Sequence, residues 1–291
     1  MKVFGKHIIV TGAGSGMGRE LTRELLRRGA RVAAVDINEK ALAQLSAGAS
    51  PALSTFACNI ADRAAVETLA EALLASGATV DGIINCAGVI QPFESLNELS
   101  FSHIERVFDV NFRGTLYMTK TFLPVLLTRP EAHIVNVSSM GGFIPIPGQT
   151  AYGCSKAAVK LLTEGLYAEL RGTRVHVTVV FPGAVATDIM ANSGVEMRGA
   201  TEAARSRIYP ADRAARDILD GMERDAFRVL VGRDAKLLDY LYRLAPKRAT
   251  EVVAKKMQHL LAHDQPVTRA YVAEAAASGA ARSRRAGRPW S

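Results

Sequence analysis

No apolar run in the sequence approaches the roughly 20 residues needed to cross a bilayer. The first apolar stretch, at 8–10, is short and opens directly into a glycine-rich loop, which is not the shape of a signal peptide. A cytoplasmic protein is expected. Cysteine is scarce. Cys58, Cys86 and Cys154 make an odd number with no CxxC spacing, which argues against a disulfide framework or a zinc site. All three fall in segments that read as strand or helix, so buried thiols are expected. The histidines do not cluster. His259 and His263 stand four apart with no Glu between them, so the HExxH pattern of a metalloprotease is missing and no metal is expected.

What the chain has instead is apolar bulk and positive charge. Hydrophobic residues make up 48% of the 291, enough to bury a sizeable core in one large α/β domain or two small ones. The formal net charge is +8. Much of the excess sits late, in Lys247, Arg248, Lys255, Lys256 and in Arg282, Arg284, Arg285 and Arg288. Such a tail could touch nucleic acid or an anionic membrane. No helix-turn-helix, zinc-finger or RNP-type motif accompanies it. Nucleic acid is therefore not an expected partner, and a solvated end is the plainer reading.

Apolar runs alternate with amphipathic stretches as far as about residue 232. Strands are expected at 7–11, 31–36, 52–58, 80–85, 133–138, 175–181 and 227–231. Helices are expected at 16–28, 39–47, 63–75, about 101–127, 150–170 and 211–223. The strands are rich in Val, Ile and Ala with little alternation, as in a parallel sheet covered on both faces. Repeated βα units with right-handed crossovers then give an α/β fold, a doubly wound Rossmann-type parallel sheet. Ligands of such a sheet bind at the carboxyl ends of its strands, where the strand order reverses. Residues 1–232 read as one dinucleotide-binding and catalytic domain, 233–277 as a helical C-terminal extension, and 278–291 as a basic, disordered tail. Within the first, residues 186–210, with Ile189, Met190 and Met197, read as a mobile lid over a pocket. In the extension, Leu237, Leu238, Leu241 and Leu244 make one apolar stripe, and Val252, Val253, Met257, Leu260 and Leu261 another.

The chemistry begins at Thr11-Gly12-Ala13-Gly14-Ser15-Gly16-Met17-Gly18, which follows a strand and opens a helix. Glycine lets the backbone turn tightly and a pyrophosphate approach closely, and the helix N-terminus offers free N–H groups and a positive dipole end. Asp36 ends the second strand, where a carboxylate can bond both hydroxyls of an adenine ribose and would repel a 2′-phosphate. That favours NAD(H) over NADP(H). Asn59 and Ile60 close the third strand, with Asn59 able to meet an adenine ring, while Asp62 caps the next helix. Asn85, Cys86, Ala87 and Gly88 close the fourth, and small residues there let a cofactor lie against the backbone. The strongest signal is Tyr152 and Lys156, four apart on one helix face. A cation beside a phenol lowers its pKa, so Tyr152 could exchange a proton with a substrate oxygen near neutral pH. Ser139, thirteen residues earlier, could hold the same oxygen, and Asn111 could fix a water near Lys156. Pro182, Gly183, Val185 and Thr187 lie in the turn that ends the sixth strand, a turn that could meet a nicotinamide.

Together these motifs resemble the short-chain dehydrogenase/reductase family, over about residues 4–232. They comprise TGxxxGxG at 11–18, NCAG at 85–88 where the family more often has NNAG, Asn111, VNVSS at 135–139, YxxxK at 152–156 and PGxVxT at 182–187. The resemblance implies a sheet of about seven strands and Tyr152 as catalytic acid/base. It implies that Lys156 lowers the Tyr152 pKa and binds the nicotinamide ribose, that Ser139 rather than Ser138 partners the substrate oxygen, and that Asn111 organises a water relay. It also implies a homodimer or homotetramer. Asn59 stands where the family often has Asp, and the segment after Val231 exceeds the ordinary family length.

The expected function is an NAD-dependent oxidoreductase that interconverts a secondary alcohol and a ketone by hydride transfer. The Met- and Ile-bearing lid suggests an apolar substrate, lipid-like, steroid-like or aromatic. Two other readings stand beside it. One is a non-catalytic dinucleotide sensor or scaffold on the same fold, against which the intact Asn111, Ser139, Tyr152 and Lys156 set argues. The other is peripheral membrane association through the C-terminal helices, against which packing on the core or a partner subunit is the plainer alternative.

Overall fold

The computed structural model describes residues 1–75, 77–195 and 208–257. Among these, seven strands form one parallel sheet. They are β1 (His7–Thr11), β2 (Arg31–Asp36), β3 (Leu53–Ala57), β4 (Gly82–Asn85), β5 (Ala132–Val137), β6 (Val175–Pro182) and β7 (Arg228–Val231), in the order β3-β2-β1-β4-β5-β6-β7. The order reverses between β1 and β4, so the crevice for a ligand opens there. The helices are α1 (Gly16–Arg27), α2 (Glu39–Ser46), α3 (Arg63–Ala75), α4 (Phe101–Phe108), α5 (Thr115–Leu127) and α6 (Thr150–Glu169). They continue with α7 (Ile189–Ser193), α8 (Ala211–Glu223), α9 (Arg233–Leu244) and α10 (Pro246–Met257).

Successive strand side chains point to opposite faces. Ile8 and Val10 pack with Leu21 and Leu25 of α1 and Ile218, Leu219 and Met222 of α8. Ile9, between them, packs with Val66 and Leu69 of α3, Met118 and Phe122 of α5, and Leu166 of α6. Both faces are apolar, which is why the central strands read as unbroken hydrophobic runs. β3 is the exception. It is an edge strand whose residues are half-buried or exposed, so the expectation of burial on both faces fails there.

Three further expectations are corrected. The single helix at 101–127 is interrupted by a π-helical turn, Asp109–Gly114, which carries Asn111. The cysteines are not uniformly buried: Cys58 is, Cys86 is partly so, and Cys154 is exposed. The leucine stripe of α9 is split between two faces. Leu238 and Tyr242 pack with Ile144, Ala249 and Val253, while Leu237, Leu241 and Leu244 are exposed. Met197, Leu260, Leu261 and the basic tail lie outside the described residues.

A buried polar network knits the sheet to its helices beneath the crevice. The Asn85 amide donates to Asn136 Oδ1 at 2.8 Å and to Thr119 Oγ1 at 3.1 Å. Asn136 donates in turn to Thr163 Oγ1 at 3.0 Å. A buried polar atom left without its partner costs about 1–3 kcal/mol. Asn136→Ala strands groups on both sides of it, so it should lower unfolding stability by roughly 2–4 kcal/mol. Urea denaturation with an unchanged m-value would check this.

Candidate active site

The glycine loop is shaped by what surrounds it. Thr11, fully buried, accepts hydrogen bonds from the backbone N–H groups of Cys86 and Ala87, both at 3.1 Å, tying the end of β1 to the exit of β4. Gly12 adopts φ +69°, and a Cβ there would sit 2.8 Å from the Ala87 Cα. A Cβ on Gly18 would overlap the Gly12 carbonyl oxygen. Only glycine fits either position.

A cavity of about 480 Å³ opens over this loop. Its wall carries Gly12, Gly14, Ser15, Gly16, Met17, Gly18, Asp36, Asn59, Ile60, Ala87, Gly88 and Thr187 from the sequence-derived set. The Asp36 carboxylate is fixed at one end by the N–H groups of Gly14 and Asn38, each at 2.9 Å. A dinucleotide suits this wall: the α1 N-terminus faces the cavity, a fixed carboxylate stands at its far end, and the glycines leave the backbone bare.

Six of the expected cofactor contacts are off the wall: Tyr152 and Lys156, which lie with the reacting groups described below, and Asn85, Pro182, Gly183 and Val185. Asn85 is turned into the fold, where the network above takes up its amide NH2. Pro182, Gly183 and Val185 are not on the wall. The turn after β6 is instead fastened from behind, with Asp234 Oδ2 accepting from the Ala184 N–H at 2.8 Å and Val185 bridging to Tyr209. The wall also includes Ile189, which the sequence reading set in a lid over a pocket, and Ile37, Ala41, Arg106, Val110 and Asn192, which it did not single out as cofactor contacts. Arg106 and Val110 were within reach of it, since they lie five and one places before Asn111. Asn192 was not, because only the fold brings α7 over the loop. There Asn192 Nδ2 donates to Ser15 Oγ at 2.8 Å, and Arg106 donates to the Ser193 carbonyl at 3.3 Å.

Gly88 joins the cavity to the reacting groups. A Cβ there would lie 3.2 Å from both Asn111 Oδ1 and Lys156 Nζ. The π-turn aims Asn111 across the fold. Its Oδ1 accepts from the Val89 N–H at 2.8 Å, and its Nδ2 donates to the Val89 carbonyl and to Ser155 Oγ, both at 2.9 Å. Single π-turns inside helices recur at functional sites for this re-aiming.

Tyr152 sits in the first turn of α6, whose leading N–H groups have no partner within the helix. Gln91, fully buried after β4, supplies one: its Oε1 accepts from the Tyr152 N–H at 2.9 Å. Gln149 donates to the Gln91 carbonyl at 2.8 Å, completing a glutamine pair that anchors this turn. Neither glutamine was singled out from the sequence, because nothing in a lone Gln announces a cap on a distant helix. The two serines divide their work. Ser138 donates to the Lys156 carbonyl at 2.7 Å and is structural. Ser139 accepts from the Gly141 N–H at 3.0 Å, and a Cβ on Gly141 would lie 3.4 Å from both the Ser139 Oγ and the Tyr152 ring.

The electrostatics differ from the sequence expectation. Burial pushes the Tyr152 phenol up, and the Ser139 hydroxyl draws it partly back down. Lys156 is not what sets it here, because its Nζ is held by the Val137 carbonyl at 3.0 Å. Burial lowers the Lys156 ammonium from 10.5 to about 8, against a raising influence from Cys86. The same burial pushes the Cys86 thiol up to about 12, so it is not a thiolate nucleophile near neutral pH.

Since the folded protein binds the Lys156 proton less tightly than the unfolded chain, stability rises with pH between about 8 and the ordinary lysine value. Below that window the buried ammonium is a burden. Lys156→Met removes it. The cofactor-free variant should therefore be more stable than the wild type near neutral pH, by roughly 2 kcal/mol, with the gain vanishing above about pH 10. Denaturation across that pH range checks the sign.

Comparison with known proteins matches this geometry. The family model described as short chain dehydrogenase matches residues 6–197. SadH of Mycobacterium tuberculosis, described as an oxidoreductase, is 34% identical over 86% of this chain and 94% of its own length. The NADP-dependent 3-hydroxy acid dehydrogenase YdfG of Escherichia coli is 33% identical over 61% of this chain and 72% of its own. The crystal structure of a short chain dehydrogenase/reductase from Burkholderia phymatum in complex with NAD superposes with TM-score 0.74 at 29% identity, covering 84% of this chain and 96% of that one. A family model spanning about two thirds of the chain and a relative matched over nearly all of its own length show that the chain belongs to the short-chain dehydrogenase family of oxidoreductases.

Proposed function

We propose that the enzyme interconverts a secondary alcohol and a ketone with NAD(H) as its preferred cofactor. The observation that carries this reading is the contact of Gly88, on the wall of the cavity that the glycine loop and Asp36 also line, with Asn111 and with Lys156 of the helix that carries Tyr152. The loop and the α1 N-terminus would hold the pyrophosphate, Asp36 the adenine ribose, Asn59, Ile60 and Val110 the adenine, and Lys156 and Thr187 the nicotinamide half. When bound, the nicotinamide accepts or supplies the hydride.

The protein's part is to hold and move a proton. Tyr152, a phenol already protonated at neutral pH and pushed further up by desolvation, donates its proton to the carbonyl oxygen in reduction and takes it back in oxidation. Ser139 holds the same oxygen as charge develops on it. Lys156 supplies positive charge behind the phenol, and Asn111 keeps the β4 exit and α6 at fixed separation through Val89 and Ser155. The substrate is an uncharged, apolar molecule. Gly141, whose Cβ would lie 3.4 Å from both Ser139 Oγ and the Tyr152 ring, also faces Ile146 at 3.7 Å. Ile189 and Met190 lie on α7 at the near end of the expected lid. Leu161 and Tyr167, exposed on α6, fit an oligomer interface.

NADH should bind more tightly than NADPH. Asp36→Asn should close that gap by roughly tenfold, because it removes the like charge that would face a 2′-phosphate. Titration of both cofactors by nicotinamide fluorescence measures it, and equal affinities in the wild type would overturn the NAD assignment. Tyr152→Phe should lose about 10²–10⁴-fold in turnover while binding NADH normally. Wild-type rates on a panel of apolar ketones should hold through neutral pH and fall as the phenol ionises, with alcohol oxidation rising instead. Preference for 3-hydroxy acids over apolar alcohols in that panel would overturn the substrate class.

A further inference from the structure

The outer face of the C-terminal helix pair has no place in the reaction above. In α9, Leu237, Tyr240, Leu241 and Leu244 are 60%, 63%, 38% and 67% exposed. Their spacing is that of one continuous helical stripe, and it points away from the protein. On α10, Val252 is likewise 60% exposed. The opposite faces are spoken for: Leu238 and Tyr242 of α9 and Val253 of α10 pack with Met140, Phe143 and Ile144. The apolar stripe therefore lies on the far side from the fold's own core.

Its surroundings are strongly basic. Seven exposed cations run from Arg233 to Lys256, against one exposed carboxylate, Glu251. Lys236 and Arg243 flank Tyr240 at spacings of four and three, and Arg248 and Lys256 flank Val252 at four on either side. The Glu251 carboxylate reaches Lys247 only at 3.9 Å, with both groups largely in solvent.

We propose that this face docks on an anionic phospholipid surface, the stripe entering the headgroup boundary and the cations meeting lipid phosphates. Charge chooses this occupant. A helix with apolar side chains on its outer face and lysine and arginine alongside is the form of an interfacial membrane binder. A second copy would bring seven cations against seven, which like-charge repulsion opposes. Residues 258–291 carry five arginines against one aspartate and one glutamate, a composition that adds to the attraction for anionic lipid. The inner face of the same pair reaches the turn after Ser139 through Phe143, whose ring centroid lies 6.4 Å from that of Tyr242. Docking would thus hold the reacting end of the sheet beside the bilayer, where apolar substrates concentrate. The proposal does not require that substrate class.

The test is co-sedimentation of the full chain with vesicles of mixed phosphatidylglycerol and phosphatidylcholine, against vesicles of phosphatidylcholine alone. Binding to the anionic vesicles only, weakened by added salt, is expected. At about 1 kcal/mol for each cation near the surface, the double variant Lys247→Gln and Arg248→Gln should partition roughly 30-fold less. A second double variant, Leu241→Asp and Leu244→Asp, should lose binding too, with NADH fluorescence titration unchanged in both as proof of fold. Failure of the wild type to sediment, or variants that sediment as well as it does, would overturn the proposal. So would a leucine variant that changes only the oligomeric mass in light scattering, since that outcome assigns the face to a second copy.

Discussion

The arrangement of this enzyme hangs on the absence of space between the ends of β1 and β4. Thr11 accepts from two successive N–H groups at the β4 exit, which draws that exit against the Gly12 backbone. The Gly12 position has room for hydrogen and nothing larger. From this one contact the rest of the site can be followed along the chain. Ala87 meets the loop, Gly88 lies beside Asn111 and Lys156, Val89 is held by both ends of the Asn111 amide, and Gln91 caps the turn that carries Tyr152. Five residues of backbone thus transmit the position of the glycine loop to the phenol. A preorganised site needs its supports to be rigid. Here the supports are glycine contacts and buried side chains, Thr11, Asn111 and Gln91, each hydrogen-bonded to backbone groups.

Burial, rather than charge pairing, governs the two titrating groups in this arrangement. The phenol rises and the ammonium falls, each toward its neutral form, because both lie in the dry layer between β5 and α6. The expectation drawn from an i,i+4 pair, that lysine lowers tyrosine, treats the helix face as though it were in water with no other partners. The fold supplies a competing partner, the Val137 carbonyl, for the lysine. The result is a tyrosine kept as an acid and a lysine close to losing its proton. Such a pair is costly to stability and suited to proton transfer, as active-site groups commonly are.

Much of this was legible in the sequence, for identifiable reasons. The strands announced themselves because both faces of the sheet are covered, and β3 escaped that rule because it is an edge. The glycine loop, Asp36, Tyr152 and Lys156 are short-range patterns, and short-range patterns survive in one dimension. Three kinds of feature did not survive. The π-turn at Asp109–Gly114 has no compositional signature, so the sequence singles out Asn111 yet sets it in an unbroken helix. Gln91 and Gln149 act on a helix far from Gln91 in sequence, and a glutamine's capping role is invisible until the two segments meet. Asn85 sits in a motif position that suggests a cofactor contact, yet its amide NH2 is spent on Thr119 and Asn136 inside the fold.

The C-terminal helices show the same limit from another side. Periodicity reports that a helix has an apolar stripe, and reports nothing about which side the protein occupies. In α9 two sets of apolar residues stand close together, Leu238 and Tyr242 on one bearing and Leu237, Leu241 and Leu244 on another. A sequence reading merges Leu238 with the exposed leucines. The fold separates the two sets, because the turn after Ser139 offers Phe143 and Ile144 to one bearing only. Packing against that turn is therefore enough to place the helix, and it leaves the second set facing outward among exposed lysines and arginines. Exposed leucines at helical spacing lower the solubility of a chain unless something covers them. Inner packing accounts for the position of the pair, and it leaves the composition of the outer face to be accounted for by what that face meets.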